Sequence, residues 1–210
     1  MKRLVVLLLL TQLLPNAAAA QDTTSAIWVL NKLEVKGRAA KTGYTRAQFP
    51  HWSDLNRNGC DTRNEILKRD LTALIFKVGT KDCKVISGSL LDPYSGKVIT
   101  FSSTKSTIDI DHVVALSNAW QTGAAYFDKS KREGIANDPI NLLAVDYSLN
   151  RQKGDGDAAT WLPPLKTYRC DYVSRQIAVK AKYALWVTAP EKDAITKILD
   201  KCVGQKVPNY

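Results

Sequence analysis

The chain has 210 residues, of which 30 are Lys or Arg, 20 are Asp or Glu and only two are His. This length supports one well-formed core and is marginal for two. Removing a leader of 20 residues leaves 28 basic against 20 acidic side chains, a formal charge of +8, which favours a polyanionic partner. A basic surface that only keeps the protein soluble gives the same charge, so charge alone does not decide the function.

The first twenty residues are typical of a secretory signal peptide. Lys2 and Arg3 precede a largely apolar stretch over 4–14, and three alanines ending at Ala20 offer a cleavage site. A membrane anchor is the alternative, but this stretch is too short to span a bilayer, and no later stretch is apolar enough. We therefore expect a secreted or periplasmic protein without membrane association after cleavage near Ala20, with one domain over 21–210.

Four cysteines, Cys60, Cys83, Cys170 and Cys202, are an even number in a chain expected to be exported, which favours two disulfides. No two of them have the C-x-x-C spacing of zinc sites. Of the three pairings we favour Cys60–Cys83 with Cys170–Cys202, because each bond then closes a short loop at one end of the chain.

Apolar spacing and turn residues predict the secondary structure. The predicted elements are, in chain order, a helix over 62–76, strands over 84–91 and 97–102 around a turn at 92–96, a strand leading into a second within 106–116, and helices over 117–137, over 172–186 and from 188. Two capping boxes support the first and the last of these helices, Thr62-x-x-Glu65 and Thr188-x-x-Glu191.

Three short segments carry the residue types that phosphodiester hydrolysis needs: Asp109-Ile110-Asp111-His112, Asn141-Leu142 and Asn150-Arg151-Gln152-Lys153-Gly154. A carboxylate and an amide oxygen bind a hard divalent cation, an imidazole activates water, and basic side chains hold phosphate. The ordered set is far more specific than an Asp-His pair alone.

These segments resemble the HNH (His-Me finger) endonucleases, whose core is a β-hairpin followed by a helix around one metal ion. The wider pattern is similar to secreted bacterial HNH nucleases, through the segments at 59–63, 92–96, 137–142 and 157–163. The resemblance covers most of 54–165. It implies an α+β fold with a ββα-metal core at about 106–157, surrounded by helices and tied by disulfides.

The resemblance implies that His112 is the general base, and that Asp111 and Asn150 are the protein ligands of Mg²⁺ or Mn²⁺. Asn150 stands where the family name has its final histidine, and its amide oxygen favours these ions over Zn²⁺. On a regular strand Asp111 and His112 point to opposite faces, so both reach one phosphate only where the strand ends, bulges or twists. Asp109 shares a face with Asp111 and is the reserve ligand.

The remaining residues of the pattern have supporting roles in this interpretation. Asn141 would hold the loop of the hairpin by hydrogen bonds, and Lys153 and Arg151 would contact phosphate. Asparagine is also common in turns and caps, and His112 taken singly fits a structural histidine. The ordered set favours the catalytic interpretation. His51 has no partner in the pattern, and we take it as structural.

The segment from Asp54 to Glu65 satisfies the EF-hand loop pattern D-x-N-x-N-G-x5-E. Three features argue against calcium there. Pro50 disrupts an entering helix, Asp61 occupies a position that is normally apolar, and the first capping box already accounts for Glu65. We do not expect a calcium ion in this loop.

The sequence therefore predicts a secreted, metal-dependent endonuclease that hydrolyses DNA, with RNA as a further candidate, at low sequence specificity. Nothing in it resembles a recognition module such as a zinc finger, so phosphate contacts would dominate binding. We expect a monomer. The alternative is a non-catalytic secreted basic protein that binds an acidic polymer or a partner protein, which explains the charge and the cysteines equally well.

Overall fold

The structure is a computed structural model that describes residues 22–105 and 107–208. The predicted signal peptide and its cleavage site lie outside the described residues. The helices are α1 (Ala26–Lys32), α2 (Thr62–Asp70), α3 (Leu116–Gln121), α4 (Lys129–Asn137), α5 (Tyr147–Lys153), α6 (Arg169–Tyr183) and α7 (Ala189–Leu199), with 3-10 turns at Arg46–Gln48, Ala124–Tyr126 and Lys166–Tyr168. The strands are β1 (Thr72–Phe76), β2 (Val85–Leu91), β3 (Val98–Ser102), β4 (Ile108–His112) and β5 (Leu142–Asp146). The protein thus has mixed α and β structure, as expected.

The strands form two separate antiparallel sheets. In the first, β1, β2 and β3 lie side by side in chain order. The turn predicted at 92–96 joins β2 to β3, where the Asp92 carboxylate accepts a hydrogen bond from Ser95 N at 2.8 Å. Gly96 ends this turn with φ 74°, a left-handed conformation that glycine adopts without strain. Both predicted strands and their turn are confirmed.

Three predictions of secondary structure are wrong in part. The helix expected over 62–76 ends at Asp70, because the residues after it become β1 and pair with β2 instead of continuing a helix. The second strand expected within 106–116 is absent from the described residues of that range. The helix expected over 117–137 is interrupted at Gly123, whose φ of 133° lies outside the helical region.

Only one of the two predicted capping boxes forms. The N-cap of α2 is Asp61, whose side chain accepts a hydrogen bond from Asn64 N at 2.7 Å, so α2 is capped one residue earlier than predicted. The capping box of Thr188 and Glu191 is present at the start of α7, where the side chain of each residue accepts from the backbone N–H of the other.

The second sheet consists of β4 and β5, which pair antiparallel in unbroken register. α5 follows β5 without a loop, since Asp146 ends the strand and also caps the helix by accepting a hydrogen bond from Leu149 N at 2.9 Å. These two strands and the helix lie within the predicted core range of 106–157.

The long helix α6 connects the outer helices to this second sheet. Its Val173 and Ile177 are fully buried in one apolar cluster with residues of α1, α7 and β5. Gln176 of the same helix donates a hydrogen bond to Val113 O at 3.2 Å, just beyond the end of β4. The packing of α6 therefore fixes the segment that follows β4.

Two disulfides join Cys60 to Cys83 and Cys170 to Cys202, with Cα–Cα distances of 4.8 and 5.9 Å. These are the pairings that the loop lengths favour. The first ties the loop before α2 to the start of β2, and the second ties α6 to the turn after α7. A bilayer-spanning helix would have to be longer and more apolar than any that the described part of the chain contains.

Candidate active site

Four of the predicted site residues, Asp111, His112, Asn150 and Arg151, line one cleft of about 230 Å³. Its walls are the end of β4, the helix α5 and a segment before α2. The other residues that line it are Tyr44, Arg46, Ile110, Ala115, Leu116, Gly154 and Asp155. A larger cavity of about 650 Å³ lies elsewhere, against α1 and the end of α6, and contains none of the predicted site residues.

The end of a strand solves the geometric difficulty posed by adjacent Asp111 and His112. Consecutive side chains on a regular strand point to opposite faces. β4 ends at His112, and beyond it the chain leaves the sheet toward α3. Asp111 and His112 both line the cleft, at a point where the alternation of a regular strand ends.

The hydrogen bond of His112 determines which ring nitrogen is available. Its Nε2 lies 2.9 Å from Ala136 O, and a carbonyl oxygen can only accept, so Nε2 carries the proton of the neutral ring. Nδ1 then holds a lone pair, and no hydrogen bond from residues 22–105 or 107–208 occupies it. The hydrogen bond to Ala136 O thus selects one tautomer of the neutral ring.

The environment of His112 keeps its ring uncharged at neutral pH. Burial lowers the pKa of His112 to about 4, and the positive charges of Arg46 and Lys153 act in the same direction. The Ala136 carbonyl and the Asp111 carboxylate oppose this shift and favour the protonated ring. Since burial outweighs them, the imidazole is uncharged near pH 7.

The Asp111 carboxylate is held by two buried partners. Tyr94 donates a hydrogen bond to Oδ2 at 2.5 Å, and Lys153 Nζ lies 2.9 Å from Oδ1. Burial, followed by the nearby Asp111 charge, raises the pKa of Tyr94 well above its usual value, so the phenol stays a donor. A carboxylate offers about four acceptor positions, so these two bonds leave part of its acceptor capacity unused.

Lys153 does not lie where a phosphate ligand should. Its side chain is fully buried, and Nζ donates to Asp111 and to His112 O at 2.8 Å. The expectation that Lys153 contacts phosphate is therefore corrected: its ammonium is directed into the protein, where it supports the end of β4. Arg151, in contrast, is exposed, lines the cleft and stacks 4.7 Å from the Tyr147 ring centroid.

Asn150 and Asp109 are linked to each other. Asn150 Nδ2 donates to Asp109 Oδ2 at 3.2 Å, which leaves the amide oxygen without a hydrogen-bond partner among the described residues. Asp109 thus orients Asn150, and it faces a neighbouring groove instead of the cleft. The reserve ligand consequently has a supporting position.

The donors at the cleft fit a hard divalent cation. Asp111 and Asn150 contribute a carboxylate and an amide oxygen, the ligand types of Mg²⁺ and Mn²⁺. No group of three or more His, Cys, Asp or Glu side chains that could hold a metal occurs within 22–105 and 107–208. The expected ligands are only two, Asp111 and Asn150, and two protein ligands suit an ion that keeps several of its waters.

Asn141 lies behind the cleft and is fully buried. Its Oδ1 accepts a hydrogen bond from Val114 N at 2.8 Å, and its Nδ2 donates to Ile135 O at 3.2 Å. These bonds tie the segment after β4 to α4, the helix whose Ala136 carbonyl holds His112. Asn141 therefore holds the segment after β4 against α4 by hydrogen bonds and does not itself line the cleft.

Sequence reasoning missed Arg46, which lines the cleft and contacts His51. His51 Nδ1 bonds to Phe49 O at 3.0 Å, so its Nε2 is an acceptor and receives the Arg46 Nε–H at 3.4 Å. The His51 ring centroid is 6.5 Å from that of His112. The sequence holds no spacing signal for this segment, because it reaches the cleft only through the tertiary fold.

The EF-hand-like loop makes hydrogen bonds among its own side chains. Glu65 Oε1 accepts from Asn56 Nδ2 at 2.8 Å and from Asn58 Nδ2 at 2.6 Å, while Asp54 accepts from Gly59 N at 2.8 Å. Glu65 thus joins the loop together instead of completing a capping box.

Comparison with known proteins identifies relatives of the chain. The family described as "GmrSD restriction endonucleases, C-terminal domain" matches residues 61–198. A protein of Arthroderma benhamiae, "Uncharacterized secreted protein", is 40% identical over 191 residues, which cover 90% of this chain and 87% of that one. No solved structure matches. The nuclease-related part of the predicted resemblance is confirmed; a bacterial source is not, since this relative is fungal, and the narrower HNH assignment stays a prediction.

Proposed function

Because the chain belongs to the family of the C-terminal domain of GmrSD restriction endonucleases, we propose that it is a secreted, metal-dependent endonuclease. Its substrate is DNA, with RNA as a further substrate, and it cuts with little sequence preference. The observation that carries this proposal is the meeting of a free imidazole lone pair, a carboxylate and an amide at one cleft, on His112, Asp111 and Asn150. In this proposal β4, β5 and α5 form the ββα-metal core of an HNH nuclease.

The base of the reaction is His112. Its Nδ1 takes a proton from a water molecule, whose oxygen forms a bond to phosphorus while the bond from phosphorus to the 3′ oxygen breaks. The departing oxygen takes a proton from solvent, which gives a 3′ hydroxyl and a 5′ phosphate. The Ala136 carbonyl fixes the ring in the required tautomer, and burial keeps it neutral before the reaction.

Asp111 and Asn150 would hold Mg²⁺ or Mn²⁺ at the cleft, and Lys153 and Tyr94 orient the Asp111 carboxylate. When bound, the cation polarises the scissile phosphate and stabilises the departing oxygen. Arg151 and Arg46 line the cleft and would contact the phosphate. The sequence predicts this role for Arg151 but not for Arg46.

Export is part of the proposal. It is supported by the predicted signal peptide, by the two disulfides and by the word "secreted" in the name of the fungal relative. We propose that the mature enzyme is a monomer.

The decisive experiment is nicking of supercoiled plasmid by the purified mature protein. We expect cleavage in Mg²⁺, none in excess EDTA and none with His112→Ala in Mg²⁺. Ser148→Ala, an exposed change on α5, is the matched control and should cleave like the wild type. An active His112→Ala protein would remove His112 as the base, and a wild type that binds plasmid without cutting it would favour the non-catalytic alternative.

Metal titrations test the ligand assignment. Asn150→Ala should raise the Mg²⁺ concentration needed for half-maximal nicking, because one of two protein ligands is lost, whereas Ser148→Ala should not. Identical titrations for the two variants would show that the amide of Asn150 does not bind the ion.

A further inference from the structure

A second groove, of about 360 Å³, lies beside the cleft, between the first turn of α2, the start of β2 and the chain after β3. Arg63, Lys84 and Lys105 line it, and Asp109 is its one acidic lining residue. Lys84 and Lys105 are exposed, and Arg63 is half-buried. None of the three cations joins an ion pair with a described residue, so their charge is available to a ligand.

The groove reaches the cleft at two contacts. On one side, Asp109 accepts the hydrogen bond of Asn150, which lines the cleft. On the other, the Arg63 guanidinium carbon lies 6.0 Å from the Trp52 ring centroid, and the Trp52 ring is 5.9 Å from the His112 ring. Residues of the groove and of the cleft are thus in contact on both sides.

The backbone of Trp52 is unusual at this junction. Its φ is 63°, in the left-handed region that a bulky residue rarely adopts. The Trp52 ring lies between the His112 ring and the Arg63 guanidinium.

The two elements that carry the cations are tied together. The Cys60–Cys83 disulfide ends one residue before Lys84, and Asn64, next to Arg63, accepts a hydrogen bond from Val85 N at 2.9 Å. The backbone segments that carry Arg63 and Lys84 are thus joined to each other before any ligand arrives, which reduces the entropy that binding would cost.

We propose that this groove is a second phosphate-binding site, which holds the backbone of the DNA strand beyond the scissile bond. The inference rests on the proposed nuclease function and extends the binding site from the scissile phosphate to further phosphates of the same strand. The groove carries three cations against one carboxylate, it adjoins the cleft, and its walls are preorganised. Cations at such a site bind phosphates without reading sequence, in keeping with low specificity.

The test uses the mature protein carrying His112→Ala, so that binding is measured without cleavage. Affinity for a fluorescein-labelled 20-nucleotide single-stranded DNA is measured against salt concentration, with and without Lys84→Gln and Lys105→Gln together. Arg63 is left unchanged because it packs beside Trp52. The matched control is Lys197→Gln with Lys201→Gln, two exposed lysines in the last turn of α7 and just beyond its end.

The groove variant should bind more weakly at low salt. The negative slope of log affinity against log salt should become shallower by about 1.4, since each lost phosphate contact accounts for about 0.7. The control should keep the parental slope. Equal slopes for the groove variant and the control overturn the second site, even if the wild type cleaves plasmid. A groove-specific loss in a protein whose wild type never cleaves would instead retain the second site and reject the nuclease.

Discussion

Lys153 Nζ and Asp111 Oδ1 lie 2.9 Å apart, and neither side chain is more than 5% exposed. Replacing Lys153 by Met should lower the free energy of unfolding by about 3–5 kcal/mol, because the Asp111 charge would remain buried without its partner. Urea denaturation measures this loss. Arg151→Met, an exposed change two residues earlier, should stay within about 0.5 kcal/mol of the wild type. Similar losses for both variants would contradict the buried role of Lys153.

Arg46 should contribute to substrate binding instead of stability. Arg46→Gln removes an exposed guanidinium from the cleft, so the KM for DNA should rise and the salt slope of binding should fall by about 1, with little change in urea denaturation. Steady-state kinetics at several salt concentrations check this. Lys197→Gln serves as the control. An unchanged KM for the Arg46→Gln enzyme would show that Arg46 does not take part in DNA binding.

The buried His112 should make stability depend on pH in metal-free protein. Its folded pKa of about 4 lies below the unfolded value near 6.5, so its contribution is complete above pH 6.5 and is lost as the pH falls through this range. Between pH 7 and 4.5 the wild type should lose about 2–3 kcal/mol more than His112→Gln. Urea denaturation in EDTA at both pH values measures the difference, and equal losses in both proteins would contradict it.

The Cys170–Cys202 disulfide should stabilise the protein by restricting its unfolded chain. Replacing both cysteines by Ala should cost about 3–4 kcal/mol for a loop of this length, seen as a lower urea midpoint. Reduction of the wild type in dithiothreitol should reproduce part of the shift. A midpoint that both treatments leave unchanged would show that α7 stays docked without the bond.

The ordered motif predicted much of the site because its residues lie on or beside a hairpin and helix that are set by local pattern. Asp111, His112 and Asn150 reach one cleft, as the resemblance implies. The roles of Lys153 and Asp109 depend on where their side chains point and how deeply they are buried. The spacing of residues in the sequence does not determine either property. The residues of β1 are likewise predicted as the end of a helix. They form a strand because they pair with β2, so tertiary pairing overrides the local preference.

Arg46 and His51 precede residue 61, where the match to the family begins. A graft of the matched stretch alone would include Asp111, His112 and Asn150, but would lack the Arg46 guanidinium of the cleft wall and the His51 ring that it contacts. Among relatives that share the stretch, divergence upstream of it should consequently alter the charge of this wall while leaving the three predicted site residues in place.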